Sequence, residues 1–271
     1  MTIDTIREQV IRDLARGTSD LPALPRGVSE ALKLARQSDF ELDQATKLAE
    51  SDPPIAARLL ATANSALYSR GEAISSVRRA IVRLGVQAVR DVLYQAAYSS
   101  MLIRVPRFQA VVEESFHHGV TTARIARRIA ASHGLDADTA FLAALLHDLG
   151  RARIWKLLAS RGPSSGVPDS DLALIVEELH PKAGADLAAA WQLPSEVVDT
   201  CLYHREPGNR LYPRVVAVAN WLARVCEGRI TEDESREKLA AIGFPMQDFD
   251  AHLAFARKEY EASSDLAPSD P

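Results

Sequence analysis

The chain has 271 residues, of which 47% are hydrophobic, 25% charged and 6% aromatic, with a formal net charge of −4. That balance suits one large or two modest globular domains with a sizeable core, and it excludes a surface built wholly to hold nucleic acid or anionic membrane. No window approaches the roughly 18 apolar residues of a membrane span, and the charged start MTIDTIREQVIRDLARG lacks a signal-type apolar stretch, so a cytoplasmic protein without membrane contact is expected.

Apolar residues recur with a period near 3.6 along almost the whole chain, which predicts an all-α fold. Residues 3–16 form a first amphipathic helix with Ile3, Ile6, Val10, Ile11 and Leu14 on one face and Gly17 past its end. Pro22 and Pro25 make 18–25 an extended connector into a helix from Arg26 to Gln37. A helix at Leu42–Ser51 gives way to Asp52, Pro53 and Pro54, an N-cap with prolines in the first turn of a helix that reaches about Ala66. After a turn at 69–73, two helices follow that break or bend near Gly85, the first with Val77, Ala80, Ile81 and Leu84 as its apolar stripe. The pattern lapses at Val105–Arg107 without a flexible spacer, so an N-terminal helical half is expected to pack on a C-terminal half. Residues 161–171 read as a long Gly/Pro/Ser-rich loop, and the tail from Ala262 has little to bury.

Chemistry concentrates at AFLAALLHDLGR, where His147 and Asp148 close an apolar run and Gly150 reads as a helix stop. Adjacent imidazole and carboxylate groups near a helix end differ by about 100° in direction, so both reach one cation beside the helix. Further ligands must come from other helices, and the chain holds seven histidines in all, His147 included. His118 shares an inward stripe with Thr122, Ile125 and Ile129. His180 precedes Pro181, which predicts a helix N-terminus, and His204 closes the segment SEVVDTCLYHREP. His133 and His252 read as structural, Cys201 and Cys226 as small core hydrophobes, and Trp191 and Trp221 as core anchors.

The order of segments resembles the HDOD domains, a signalling branch of the HD-domain metal-dependent phosphohydrolase superfamily. The resemblance runs over about 18–225, through LPALP, ANSALY and AIVRLG in the first half and LLHDLGR and HPKAGADLAAAWQLPSEVVDTCLYHREP in the second. It implies an HDOD domain with halves 18–106 and 107–225, which leaves an N-terminal helix at 1–17 and C-terminal helices and tail at 226–271 on either side. It also implies a metal pocket of His118, His147 and Asp148, with His180 and His204 as the supplementary histidines of two-metal relatives.

Two positions depart from that pattern. Asn220 stands where the distal aspartate is expected and brings a neutral carbonyl oxygen, which lowers cation affinity. Arg205 stands where a second consecutive histidine is expected; it opposes a second metal but suits a phosphate oxygen, and Arg151 matches a lysine that holds phosphate in catalytic relatives. The divalent ion (Mn, Mg, Fe or Zn) is therefore expected to be weakly held or lost, and no residue is assigned as catalytic. The resulting expectation is a regulatory protein that acts through signalling partners and carries a degenerate pocket for a metal or for a nucleotide or other phosphorylated ligand. The alternatives are an active phosphohydrolase on nucleotide or cyclic-dinucleotide phosphoesters, and nucleic-acid binding through the arginines of 58–107. The second of these is the weaker, because only Tyr68 and Tyr94 interleave those arginines.

Overall fold

The computed structural model describes residues 2–16, 26–37, 40–69, 71–101, 106–161, 166–245 and 249–264. Among them are thirteen α-helices and no strand, as the 3.6-residue period requires. The chain forms two compact units, residues 23–102 and residues 1–22 with 103–271. The connector at 18–25, Gly17, Val105, most of the tail and residues 162–165 of the expected loop lie outside the described residues.

Helix α1 (Ile3–Arg16) belongs to the larger unit. It buries Ile6 and Val10, but Ile11 is 40% exposed. A stripe of only two buried residues suits a short helix resting on the helices Leu149–Ala159 and Asp169–Ala190, and Arg7 Nε donates to Glu178 at 2.6 Å from its outer edge.

The unit of residues 23–102 holds α2 (Arg26–Ala35), α3 (Leu42–Ser51), α4 (Pro53–Asn64) and α5 (Val77–Met101). α2 stops at Ala35, two residues before the expected end, and α4 at Asn64, two before its own. The Asp52 carboxylate accepts from Ile55 N at 3.2 Å, the expected cap with proline behind it. Gly85 interrupts α5 at φ 74°, ψ 168°, a left-handed conformation that glycine alone adopts freely, so the stretch is two helices joined at a kink. Ala80, Ile81 and Leu84 are buried along the first of them. Three of this unit's arginines turn onto the unit itself, while Arg78 and Arg79 stay exposed. Arg83 donates to the carbonyls of Ala63 at 3.3 Å and Glu72 at 3.1 Å, Arg90 to that of Gln37 at 2.9 Å, and Arg58 to the Ser99 hydroxyl at 3.2 Å.

The larger unit continues with a 3-10 turn (Pro106–Phe108) and α6 (Gln109–Ser132), α7 (Ala137–Leu146), α8 (Leu149–Ala159), α9 (Asp169–Ala190), α10 (Ser195–Tyr203), α11 (Leu211–Cys226), α12 (Glu232–Ala241) and α13 (Phe249–Ser264). α7 lies at its centre, packed against α6, α10 and α11, while α8 and α9 pair with each other. Trp191 and Trp221 are half-buried rather than core anchors, because Trp191 caps the C-terminus of α9 where the chain turns outward. The buried tryptophan is Trp155, stacked on Phe108 at 4.4 Å. Cys201 and Cys226 are unpaired, and Cys201 is fully buried. His133 caps α6, with Nδ1 2.9 Å from Ile129 O and Nε2 2.8 Å from Pro245 O.

Candidate metal centre

Every residue of α7 from Ala140 to Leu146 is buried, the mark of a helix at the middle of a core. His147 is its C-cap and Asp148 the N-cap residue of α8, so the pair occupies the junction of two helices rather than the last turn of one. Gly150 is not a helix stop; it lies in the first turn of α8. A Cβ there would fall 2.0 Å from the carbonyl oxygen of His180 and 2.5 Å from the nitrogen of Gly184. Glycine is thus what lets α8 and α9 touch, and that contact carries Asp148 to His180.

The proline rule also misplaces His180, which sits in the middle of α9 with the helix running on through Pro181. Pro181 has no N–H to offer the Glu177 carbonyl four residues back. Arg205 supplies the missing donor, its Nη1 reaching that carbonyl at 2.6 Å.

Three histidines fix their rings on carbonyls of their own helices. Nδ1 of His147 donates to Ala144 O at 2.6 Å, Nδ1 of His180 to Val176 O at 2.9 Å, and Nδ1 of His204 to Thr200 O and Cys201 O, each at 3.1 Å. A neutral imidazole has one N–H, so each Nε2 is left with a lone pair. These lone pairs converge on one carboxylate oxygen: Asp148 Oδ1 lies 3.2 Å from His180 Nε2 and 3.6 Å from those of His147 and His204. The Nε2 atoms of His180 and His204 are 3.3 Å apart, and neither His147 Nε2 nor Asp148 Oδ1 has a hydrogen-bond partner.

At His147 and His204 protonation does not relieve this crowd of acceptors at neutral pH. Burial, against the attraction of Asp148, pushes His147 down to about 4, and burial holds His204 well below the usual imidazole range. Burial would raise Asp148, but Arg151 and the surrounding imidazoles outweigh it and keep the carboxyl well below its ordinary value. A set of buried acceptors lacking a donor is what a cation would satisfy, so the residues present fit a divalent ion. Two groups meet the distance requirement, His118 with His147 and Asp148, and Asp148 with His180 and His204, their ligand atoms lying within 4.8 Å of one another. Asp148 belongs to both.

The model of the HDOD domain matches residues 21–207. The chain belongs to the HDOD family. A crystal structure from Shewanella amazonensis SB2B, described as a candidate metal-dependent phosphohydrolase, superposes with a TM-score of 0.70 at 21% identity, covering 96% of this chain and 99% of that one. Another from Marinobacter aquaeolei VT8, described as a candidate signal transduction protein, has a TM-score of 0.67 at 19% identity and covers 98% and 65%. In sequence, a ribonuclease Y of Thermus thermophilus is 29% identical over 180 residues, 65% of this chain and 26% of that protein. The chain spans 41% and 26% of the length of the curated relatives it matches.

In this HDOD protein the two arginines expected at phosphate are otherwise engaged. Arg151 donates from Nε to Asp148 Oδ2 at 2.6 Å and from Nη1 and Nη2 to the two oxygens of Glu177 at 2.5 and 3.0 Å. Arg205 serves the carbonyl beneath Pro181. Asn220 is buried on α11 at 8% exposure. One participant is absent from the sequence reading, Glu227, whose Oε1 is 2.7 Å from His118 Nδ1. It caps the C-terminus of α11, beyond the stretch that carries the family resemblance, and a lone glutamate there gives no signal in the sequence. No described helix is long and apolar enough to cross a membrane.

Proposed function

We propose that this chain is a regulatory HDOD protein whose histidine–aspartate pocket holds a divalent ion and senses a phosphorylated ligand with little or no turnover, passing the signal to protein partners. The observation that carries the reading is the engagement of Arg151. All three of its nitrogens are taken by Asp148 and Glu177, so the cation that catalytic relatives aim at phosphate is spent inside the protein. The description of the Marinobacter structure supports a signalling role, and the folding of Arg58, Arg83 and Arg90 onto their own unit takes three arginines from the basic face that a nucleic-acid reading needs.

His118, His147 and Asp148 would hold one ion and Asp148, His180 and His204 a second, and an imidazole-rich set suits Zn or Fe better than Mg. Bound there, a divalent ion supplies a bound water of lowered pKa and a Lewis acid toward a phosphoryl oxygen. The protein's own part is to keep the Nε2 lone pairs inward and to fix the Asp148 carboxylate through Arg151. The purified 271-residue chain with Mn²⁺ is expected to hydrolyse neither bis(p-nitrophenyl) phosphate nor a cyclic dinucleotide faster than Asp148→Ala. Turnover that the substitution abolishes would replace this reading with that of an active phosphodiesterase. The convergence of five ligand side chains and the likeness to ribonuclease Y favour that second reading.

A further inference from the structure

Four imidazoles line the centre, and one of them is held differently from the rest. His147, His180 and His204 each give their Nδ1 proton to a neutral backbone carbonyl. His118 alone gives it to a carboxylate, Glu227 Oε1, at 2.7 Å across 109 residues of chain. His118 is buried and Glu227 largely so, with side-chain exposures of 6% and 10%. The second oxygen of Glu227 lies 3.2 Å from Arg229 Nε, an ion pair on the outer side of the carboxylate without hydrogen-bond geometry. Glu227 caps the C-terminus of α11, where the helix dipole disfavours an anion, so helix stability does not account for its being there.

Asn220 and Glu227 are seven residues apart, two turns along the same face of α11. We propose that Glu227 is the positioning residue of the centre: it sets the tautomer of His118, makes its Nε2 a stronger ligand, and returns through the ring the negative charge that Asn220 lacks. This rests on the reading that the cluster binds a divalent ion. A carboxylate behind a ligating imidazole fixes its orientation and raises its basicity, and removing such a partner weakens metal affinity about 10- to 100-fold. It follows that the His118–His147–Asp148 group, with two carboxylates acting on it, takes a cation more tightly than the Asp148–His180–His204 group, which has one.

Two measurements on the full chain test this. In the chelated protein, long-range ¹H–¹⁵N spectra of the histidine rings, with His118 assigned by its loss in His118→Gln, should show the Nδ1–H form. Glu227→Ala should convert it to Nε2–H, while Glu227→Gln, which keeps an acceptor oxygen and loses the charge, should retain Nδ1–H. In Mn²⁺ titrations by calorimetry the tighter affinity should fall about 10- to 100-fold in Glu227→Ala and by less in Glu227→Gln, with the weaker site unmoved. Unchanged Mn²⁺ affinity in both variants, or a His118 that stays Nδ1–H in Glu227→Ala, overturns the proposal. Should Glu227→Ala fail to fold, the near-isosteric Glu227→Gln still tests the charge. A wild-type chain that takes up no Mn²⁺ overturns the metal reading and the charge claim with it, and the spectra then decide alone whether Glu227 positions His118.

Discussion

The polar residues of the 23–102 unit and those of the histidine cluster solve opposite problems. In the smaller unit polar side chains find partners: Asn64, in the ANSALY segment, accepts from Ile74 N and donates to Ile74 O, both at 2.8 Å, and Arg83 and Arg90 donate to the carbonyls of Ala63 and Gln37. In the larger unit the folded chain satisfies one side of each ring and leaves the other side facing more acceptors. A fold does not gather unpaired lone pairs around a buried carboxylate for its own stability. The same family resemblance therefore covers two sorts of residue, those that hold the backbone and those that the backbone holds in readiness for a cation.

Gly150→Ala should blur that contrast most, because its Cβ would meet backbone on α9 at 2.0 Å, and backbone cannot rotate away. A loss of about 3 kcal/mol or more in urea unfolding is expected, together with loss of Mn²⁺ uptake. An alanine variant with wild-type stability would show that α8 and α9 do not depend on this contact.

Acidification should act on the cluster and spare the matched unit. An unfolded histidine takes up its proton near pH ~6.5, whereas His147 in the folded site takes one only at about 4. Between those values the unfolded chain binds more protons, so the chelated protein should lose stability as pH falls through this window, by on the order of 3 kcal/mol. His147→Gln should make the profile shallower, with His204 supplying the slope that remains, and an unchanged slope in that variant would assign the loss to other groups.

Asn64→Ala sharpens the comparison from the other side. It leaves both polar groups of Ile74 without their partners, for an expected cost of about 2 kcal/mol, and should leave Mn²⁺ affinity at the wild-type value. The smallest effect belongs to Arg205. Arg205→Ala should cost about 1 kcal/mol by orphaning the Glu177 carbonyl, and that cost should shrink in a Pro181→Ala background, where the helix again supplies its own N–H. Equal costs in both backgrounds would separate Arg205 from Pro181.

Helix period, the Asp52 cap and the Gly85 kink were legible because each is a local rule with a local signature. His118, His147, Asp148, His180 and His204 could be nominated because ligand-type residues recur in an order shared with a family. The rest depended on contacts between distant residues. Pro181 reads as a helix boundary unless Arg205, 24 residues on, is known to mend the broken hydrogen bond. Gly150 reads as a stop unless α9 is known to pass against it. Arg151 reads as a phosphate grip until Glu177 is found upon it, and Glu227 carries no local mark at all.

Whether the cluster is an acceptor-only site awaiting a cation is tested most directly by thermal unfolding of the chelated full chain as Mn²⁺ is restored. Binding to the native state alone should stabilise it progressively, by about 2.7 kcal/mol at a hundredfold excess over Kd, and His147→Ala should abolish the response. A melting temperature that does not move with Mn²⁺, Zn²⁺ or Fe²⁺, or that moves equally in His147→Ala, would contradict it.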